Sequence, residues 1–284
     1  MTDGPPRIFD AHAQVLRRAR ALRMSGDRFL LCEAADGIRD RLAPVNRVFA
    51  KALAVDGRAA DLLKDNEVTW IKGAFDADER LDAGHGGFDL AVSILSLQDV
   101  NDLPGALVQI RRALKPDGLF VGALFGGATL TELRDAFATG EIETLGGVTP
   151  RVAPFADVRE LGALLQRAGF ALPVADVERT TVLYRDFATL VNDLRLLGET
   201  NALAQRSRTL SRVTLRAALA HYAAKHAEPD GRLRATFDVV YLTGWAPHES
   251  QQQPLKPGSA RARLAEALGT VEHSAGDKSD PERR

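Results

Sequence analysis

Phe88-Asp89-Leu90-Ala91-Val92-Ser93-Ile94-Leu95 carries the strongest strand signal of the chain, and it follows a turn-forming segment, Gly84 to Gly87. A short, nearly continuous apolar run suits a strand covered on both faces, as at the centre of a parallel sheet. Next, Leu103, Leu107, Ile110 and Leu114 fall on one face of a helix that ends at Lys115-Pro116-Asp117-Gly118, and Leu119 to Leu124 reads as the following strand. Strand, helix and strand make a βαβ unit, which implies a right-handed crossover and a parallel pair. The fold class read outward from this stretch is α/β, a mainly parallel sheet with helices on both faces.

Upstream, Phe9, Val15, Leu16 and Ala19 recur at helical spacing among Arg17, Arg18, Arg20 and Arg23, and a second helical pattern runs from Phe29 to Arg41 before Pro44. The basic face of the first is expected to be solvated. Downstream, Thr131 to Phe137 and Val158 to Ala168 read as helices, the latter stopped by Gly169. Two short strands are expected at Leu172–Val177 and Thr180–Tyr184, an almost wholly helical insertion at 186–226, and a strand at Thr236–Leu242 that pairs antiparallel with the preceding ones. The domain plan is N-terminal helices over 1–50, a main domain over 51–270 containing the insertion, and a charged tail, expected to be disordered, over 271–284.

The 284 residues are 45% hydrophobic and 26% charged, with 37 basic against 38 acidic side chains. This is a globular composition with no bulk pull toward nucleic acid. Cys32 stands alone, which excludes an intramolecular disulfide and a cysteine-based zinc site. Absence of a long apolar stretch argues against an integral membrane segment, and the Arg-rich start reads as an amphipathic helix rather than a targeting peptide, so a cytoplasmic location is expected. His221 and His226 lie five apart with no carboxylate motif beside them, so no metal is expected.

The Phe88–Leu124 unit resembles the class I S-adenosylmethionine-dependent methyltransferases, in which an FDL-type strand leads through a helix and a KPGG-like turn to the next strand. Further blocks narrow the resemblance: Ser96-Leu97-Gln98-Asp99-Val100-Asn101-Asp102-Leu103-Pro104, Phe125 to Arg134, Gly146 to Phe155, Leu161 to Phe170, Gly198-Glu199-Thr200-Asn201, and Gly244-Trp245 with His248 to Gln251. Together they are similar to the methyltransferase-like family that hydroxylates an arginine during assembly of respiratory complex I. A more distant similarity is to the malonyl-carrier-protein methyltransferases of biotin synthesis. The resemblance implies a Rossmann-like sheet, a helical lid, S-adenosylmethionine as cofactor and a protein partner among the complex I subunits. It places the cofactor-contacting positions at Asp56, Gly57, Ser96, Leu97 and Asp99.

Three departures fall on the cofactor side. Where the family has a Gly-rich loop after its first strand, this chain has Ala52-Leu53-Ala54-Val55-Asp56-Gly57-Arg58-Ala59-Ala60, with one glycine. Only one strand candidate, Val68 to Phe75, lies between Gly57 and Phe88, so one βα unit and its ribose-binding acid are expected to be missing and one sheet edge to be short. Gln98-Asp99 stands where the relatives have His-Trp.

Other candidate residues are read from position. Asp102 is expected to cap the helix that follows, leaving Asp99 as the cleft residue. Arg151, in a loop between prolines, is a candidate anion contact. Tyr184, Asn201 and Trp245 are candidates for a substrate or partner pocket under the lid, and a partner surface is expected from Gly146–Phe155, the insertion and Trp245–Ser259. No residue presents itself as a general base or nucleophile. Three readings follow: a methyltransferase-like protein of the complex I assembly type with a degenerate cofactor loop, a non-catalytic scaffold, or a carrier-protein methyltransferase.

Overall fold

Strand β1 (Lys51–Val55) alternates its buried residues between two cores: Ala52 and Ala54 face one, Leu53 and Val55 the other. Strand β2 (Thr69–Gly73) pairs with it in parallel on one side, and β3 (Phe88–Ile94) on the other. Strand β4 (Leu114–Phe125) continues the parallel sheet beyond β3, confirming the expected βαβ unit. The two remaining strands, β5 (Ala171–Tyr184) and β6 (Leu233–Trp245), add antiparallel partners, giving the order β2-β1-β3-β4-β6-β5. These features come from a computed structural model that describes residues 7–64, 67–206, 209–252 and 269–270.

Helix α1 spans Ala11–Arg23, α2 Phe29–Leu42, α3 Arg58–Leu63, α4 Leu103–Ala113, α5 Thr131–Leu145, α6 Val158–Arg167, α7 Phe187–Leu197 and α8 Arg212–His226. On one sheet face, Leu30, Ala34 and Ile38 of α2 pack with Leu90 and Val92 of β3; on the other, Leu107 and Ile110 of α4 and Leu161 and Leu165 of α6 pack with Ala91 and Phe120. Each fully buried leucine or isoleucine contributes about 1.5–3 kcal/mol of transfer free energy. Several helix starts are fixed by short polar side chains, as expected for Asp102, whose carboxylate accepts from the Gly105 amide. The chain's contacts divide into one unit over Met1–His248 and another over Glu249–Arg284.

Among the described residues one strand follows β1 in the chain before β3, as expected from the short interval between Gly57 and Phe88. β2 is an edge strand of five residues, three of them exposed. Two expectations need correction. The pair of strands expected in 172–184 is a single 14-residue strand, because Glu178 and Arg179 do not turn the chain: they stay in register with Val239 and Asp238, and Arg179 pairs with the Asp238 carboxylate at 2.6 Å. The insertion is less helical than expected: Gly198 ends α7 in the left-handed region at φ 81°, the described residues 199–206 and 209–210 are non-helical, and Ser211 caps α8.

Candidate functional site in the sheet crevice

Parallel strand order reverses at β1, whose neighbours β2 and β3 lie on opposite sides, so the crevice beyond the carboxyl ends of β1 and β3 is where an open α/β sheet binds ligands. Asp56 and Gly57 leave β1 there with φ of 67° and 83°, a left-handed pair that turns the chain into α3. A side chain at Gly57 would be strained by that φ and would meet Lys72 Cδ at 3.3 Å. The loop's amides are already engaged: the Asp56 amide donates to the Gly73 carbonyl at the end of β2 at 2.9 Å and the Gly57 amide to the Ala54 carbonyl at 3.2 Å.

Arg58 occupies the crevice. Its guanidinium donates to the carbonyls of Leu95 at 2.6 Å and Leu197 at 3.3 Å, thereby joining the end of β3 to the end of α7. Its Nε stands 3.2 Å from Asp56 Oδ2, and its Nη2 3.9 Å from Glu199 Oε1. A second guanidinium arrives from α1. Arg18 donates to Asp99 at 2.8 Å and to the Ser96 carbonyl at 3.4 Å. The expectation of a solvated basic face on α1 is therefore wrong for this residue, because the helix lies across the crevice and the inward side of its stripe meets carboxylates.

Two guanidiniums thus face three carboxylates, Asp56, Asp99 and Glu199, all largely buried. Neither Asp56 Oδ2 nor Glu199 Oε1 has a hydrogen-bond partner. Burial pushes the Asp56 carboxyl above its ordinary range. Burial and the neighbouring Asp99 charge push Glu199 up to about 7. Both shifts run in the direction expected where three carboxyl groups share two cations away from water.

That elevation has a sign in stability. Unfolded Glu199 loses its proton near 4.5, folded Glu199 only near 7, so its contribution is complete below about pH 4.5 and is lost as pH rises through about 7. The loss amounts to about 3 kcal/mol. Glu199→Gln should flatten the fall in urea-measured stability between roughly pH 5 and 8 and make the variant the more stable protein at the upper end. An unchanged slope would show that Glu199 is ionised throughout.

Beside the network lies a cavity of about 160 Å³. Phe9, Phe125, Phe155 and Phe237 wall it, with Gln98, Asp99, Glu199 and Asn201 at its polar end. Phe9 is held by a reciprocal pair of bonds with Asn101, its amide donating at 2.8 Å and its carbonyl accepting at 3.3 Å, and by a bridge to Leu203. The start of the chain and the segment after α7 therefore close this end of the sheet together.

The residues expected to form a site are only partly brought together. Asp56, Gly57, Ser96, Leu97 and Asp99 ring the crevice: the Ser96 hydroxyl lies 2.7 Å from Ser93, and Leu97 is buried at 1% exposure. Asn201 lines the cavity and ties it down, donating to the Pro150 carbonyl at 3.0 Å. Arg151 also reaches the cavity wall, but its Nε donates to the buried Glu141 at 2.7 Å and its Nη2 to the Thr209 carbonyl at 2.9 Å. Tyr184 is a core residue at the end of β5, and burial raises its phenol.

Trp245 is far away. It pairs with Leu119, halfway along β4, whereas the cavity lies at Phe125 at the strand's end, six residues and about 20 Å further on. Trp245 and the loop at 146–155 therefore do not form one surface as expected, because β6 runs antiparallel and carries its carboxyl end to the opposite edge. Residues 253–259 of the expected partner surface lie outside the described residues. Sequence reading missed Arg18, Arg58 and Glu199; the available signal was an arginine directly after the lone glycine of a loop for which the family resemblance implies a Gly-rich turn.

A family model described as "Methyltransferase domain" matches residues 13–173, more than half of the chain. The chain belongs to the methyltransferase domain family. Mitochondrial arginine-hydroxylase NDUFAF5 of Homo sapiens is 46% identical over 184 residues, 65% of this chain and 53% of that protein. The Danio rerio protein of the same name is 44% identical over 179 residues, 63% of this chain and 56% of its own. Malonyl-acyl-carrier-protein O-methyltransferase of Laribacter hongkongensis is 38% identical over 181 residues, covering 63% and 58%. This methyltransferase-domain chain thus spans about half the length of the curated relatives it matches. Among solved structures, YcgJ of Bacillus subtilis aligns with a TM-score of 0.47 at 11% identity, over 75% of this chain and 99% of that one.

The residues present do not fit S-adenosylmethionine, the cofactor implied by the family resemblance. Its amino acid part needs an open Gly-rich turn, and here the turn's amides are spent on the Gly73 and Ala54 carbonyls while the Arg58 guanidinium takes the Leu95 carbonyl at the end of β3. No acid ends β2 to hold a ribose: the strand closes on Gly73, and the next carboxylate, Asp76, accepts the amides of Asp78 and Arg80 in its own turn. The remaining cavity of about 160 Å³ is well below the roughly 300–1,000 Å³ of sites for ligands of this size. Among the described residues no helix is long and apolar enough to cross a membrane.

Proposed function

We propose that this chain is an assembly protein of the respiratory complex I type that binds a partner subunit and does not use S-adenosylmethionine. The observation that carries the reading is the Arg58 guanidinium seated on the Leu95 and Leu197 carbonyls between Asp56 and Glu199, where a methyltransferase needs room for its cofactor. The similarity to the arginine hydroxylases supplies the assembly role, and the cytoplasmic placement expected from the sequence belongs to the same proposal.

The cavity supports a class of ligand. Its aromatic walls suit the aliphatic stem of a long side chain, and its polar end holds Glu199 with an unpartnered oxygen and one carboxylate more than the resident guanidiniums balance. A third guanidinium, from an arginine of the partner, is complementary to that end. This agrees with the name of the 46% identical relative, an arginine-hydroxylase.

Calorimetric titration with S-adenosylmethionine should give no saturable heat at millimolar cofactor. Micromolar binding would overturn the reading, and would stabilise the protein by about 2.7 kcal/mol at a hundredfold excess over the dissociation constant. In cells lacking the gene, Glu199→Gln should fail to restore complex I assembly although the folded protein is no less stable than wild type. Full rescue by that variant would remove the arginine-binding role from Glu199.

A further inference from the structure

We propose that Asp135, His221 and His226 form a site for a divalent transition-metal ion, zinc by its donor set, that fastens the carboxyl end of α8 to α5. In the sequence the two histidines, five apart, belong to no HExxH-type motif with a ligating carboxylate. The fold supplies one from another helix: His221 Nε2 lies 2.9 Å and His226 Nε2 2.8 Å from the same Asp135 Oδ2. All three ligand atoms fall within 4.8 Å of one another, and each side chain is partly exposed, so an ion can enter from solvent.

Two imidazole nitrogens and a carboxylate oxygen are the donors that zinc accepts, with water completing four-coordination. Bonds of about 2.0–2.1 Å at tetrahedral angles set ligand atoms about 3.3 Å apart. Each histidine nitrogen needs to draw back from the Asp135 oxygen by only about 0.4–0.5 Å to reach that spacing. The helices that carry it are already held together: a Cβ at Gly140 of α5 would stand 2.6 Å from the Ala218 amide of α8, and Thr144 and Thr214 share a hydroxyl contact at 2.9 Å. Ligands on rigid elements lose little entropy on binding.

Lys225 decides how the site looks without an ion. Its ammonium lies 3.0 Å from the same Asp135 oxygen, so three nitrogen donors crowd one acceptor. The lysine side chain is 57% exposed and can swing to water when a dication replaces it. Lys225 is then a competitor of the metal and not a ligand, which separates this site from a carboxylate simply shared by three basic groups.

The test uses the purified 284-residue chain, stripped with a chelator and titrated with zinc at about pH 7.5, with cobalt as a spectroscopic probe. One zinc per chain should bind, raise the thermal midpoint, and give visible cobalt absorption typical of a four-coordinate nitrogen and oxygen site. Asp135→Asn and the double variant His221→Gln/His226→Gln, checked for native circular dichroism, should each weaken binding at least tenfold. Lys225→Met should bind as tightly as wild type or more tightly. Binding that survives in the double histidine variant, a loss of binding in Lys225→Met, or no saturable binding at about 100 µM zinc would each overturn the site; the Lys225 arm stands even where Asp135→Asn does not fold.

Discussion

Arg58→Leu should lower the stability of the folded chain by about 3–5 kcal/mol, the usual cost of leaving a buried charge without its partner. In a protein of this size that is a fall in thermal midpoint on the order of 10 °C. The guanidinium donates to the Leu197 carbonyl and to the Leu95 carbonyl, which also accepts from the Gln98 side-chain amide at 3.1 Å, and it stands between Asp56 and Glu199, so its removal exposes the mismatch of three carboxylates against Arg18 alone. Part of the loss should return in Arg58→Leu/Glu199→Gln, because the second change takes away a carboxylate together with the cation, and contacting residues of this kind couple by about 0.5–3 kcal/mol. A cost below about 1 kcal/mol for Arg58→Leu would mean that water reaches the crevice and that the plug is a surface ion pair.

Arg151→Leu should have an effect of similar size at a different place. Glu141 is completely buried on α5, and Arg151 is its cation at 2.7 Å, with the amide and hydroxyl of Thr149 completing its shell at 2.6 Å each. Removing the arginine leaves a buried carboxylate with neutral donors only, again about 3–5 kcal/mol. Although burial works against ionisation, the hydrogen bonds from Thr149 and Arg151 hold Glu141 below its ordinary 4.5. A depressed carboxylate contributes stability that is complete above the unfolded value and is lost as pH falls through the folded one. The difference between Arg151→Leu and wild type in urea unfolding should therefore be full at neutral pH and shrink below about pH 4. A constant difference across that range would assign the loss to packing of the arginine stem rather than to charge.

Glu141 and Arg151 also show where sequence reading stops. Arg151 drew attention because a loop arginine between prolines needs a reason to be there, and its reason is a glutamate ten residues earlier that reads as an ordinary helical surface acid. Nothing in the local pattern marks Glu141 as buried: only the loop that folds Thr149 and Arg151 back onto it does. The same holds for Asp135, which sits on the same helix as an unremarkable acid until α8 brings His221 and His226 against it. Asp99 fared better. Its position after a buried parallel strand, with Asp102 accounted for by capping, was enough to place it in the crevice.

The sequence by itself determined the α/β class, the βαβ unit of residues 88–124, the loss of one βα unit and the failure of the Gly-rich turn, because each rests on local periodicity, chain length or the steric freedom of a single residue type. Tertiary structure alone decided what fills the crevice. Arg18, Arg58, Asp99 and Glu199 come from α1, α3, the loop after β3 and the segment after α7, separated by as many as 181 positions in the chain (199 minus 18), and their charges interact only when the sheet and lid hold them within a few ångströms of one another. Charge pairing depends on distance in space and on exclusion of water, and neither quantity is written in the spacing of residues along a chain.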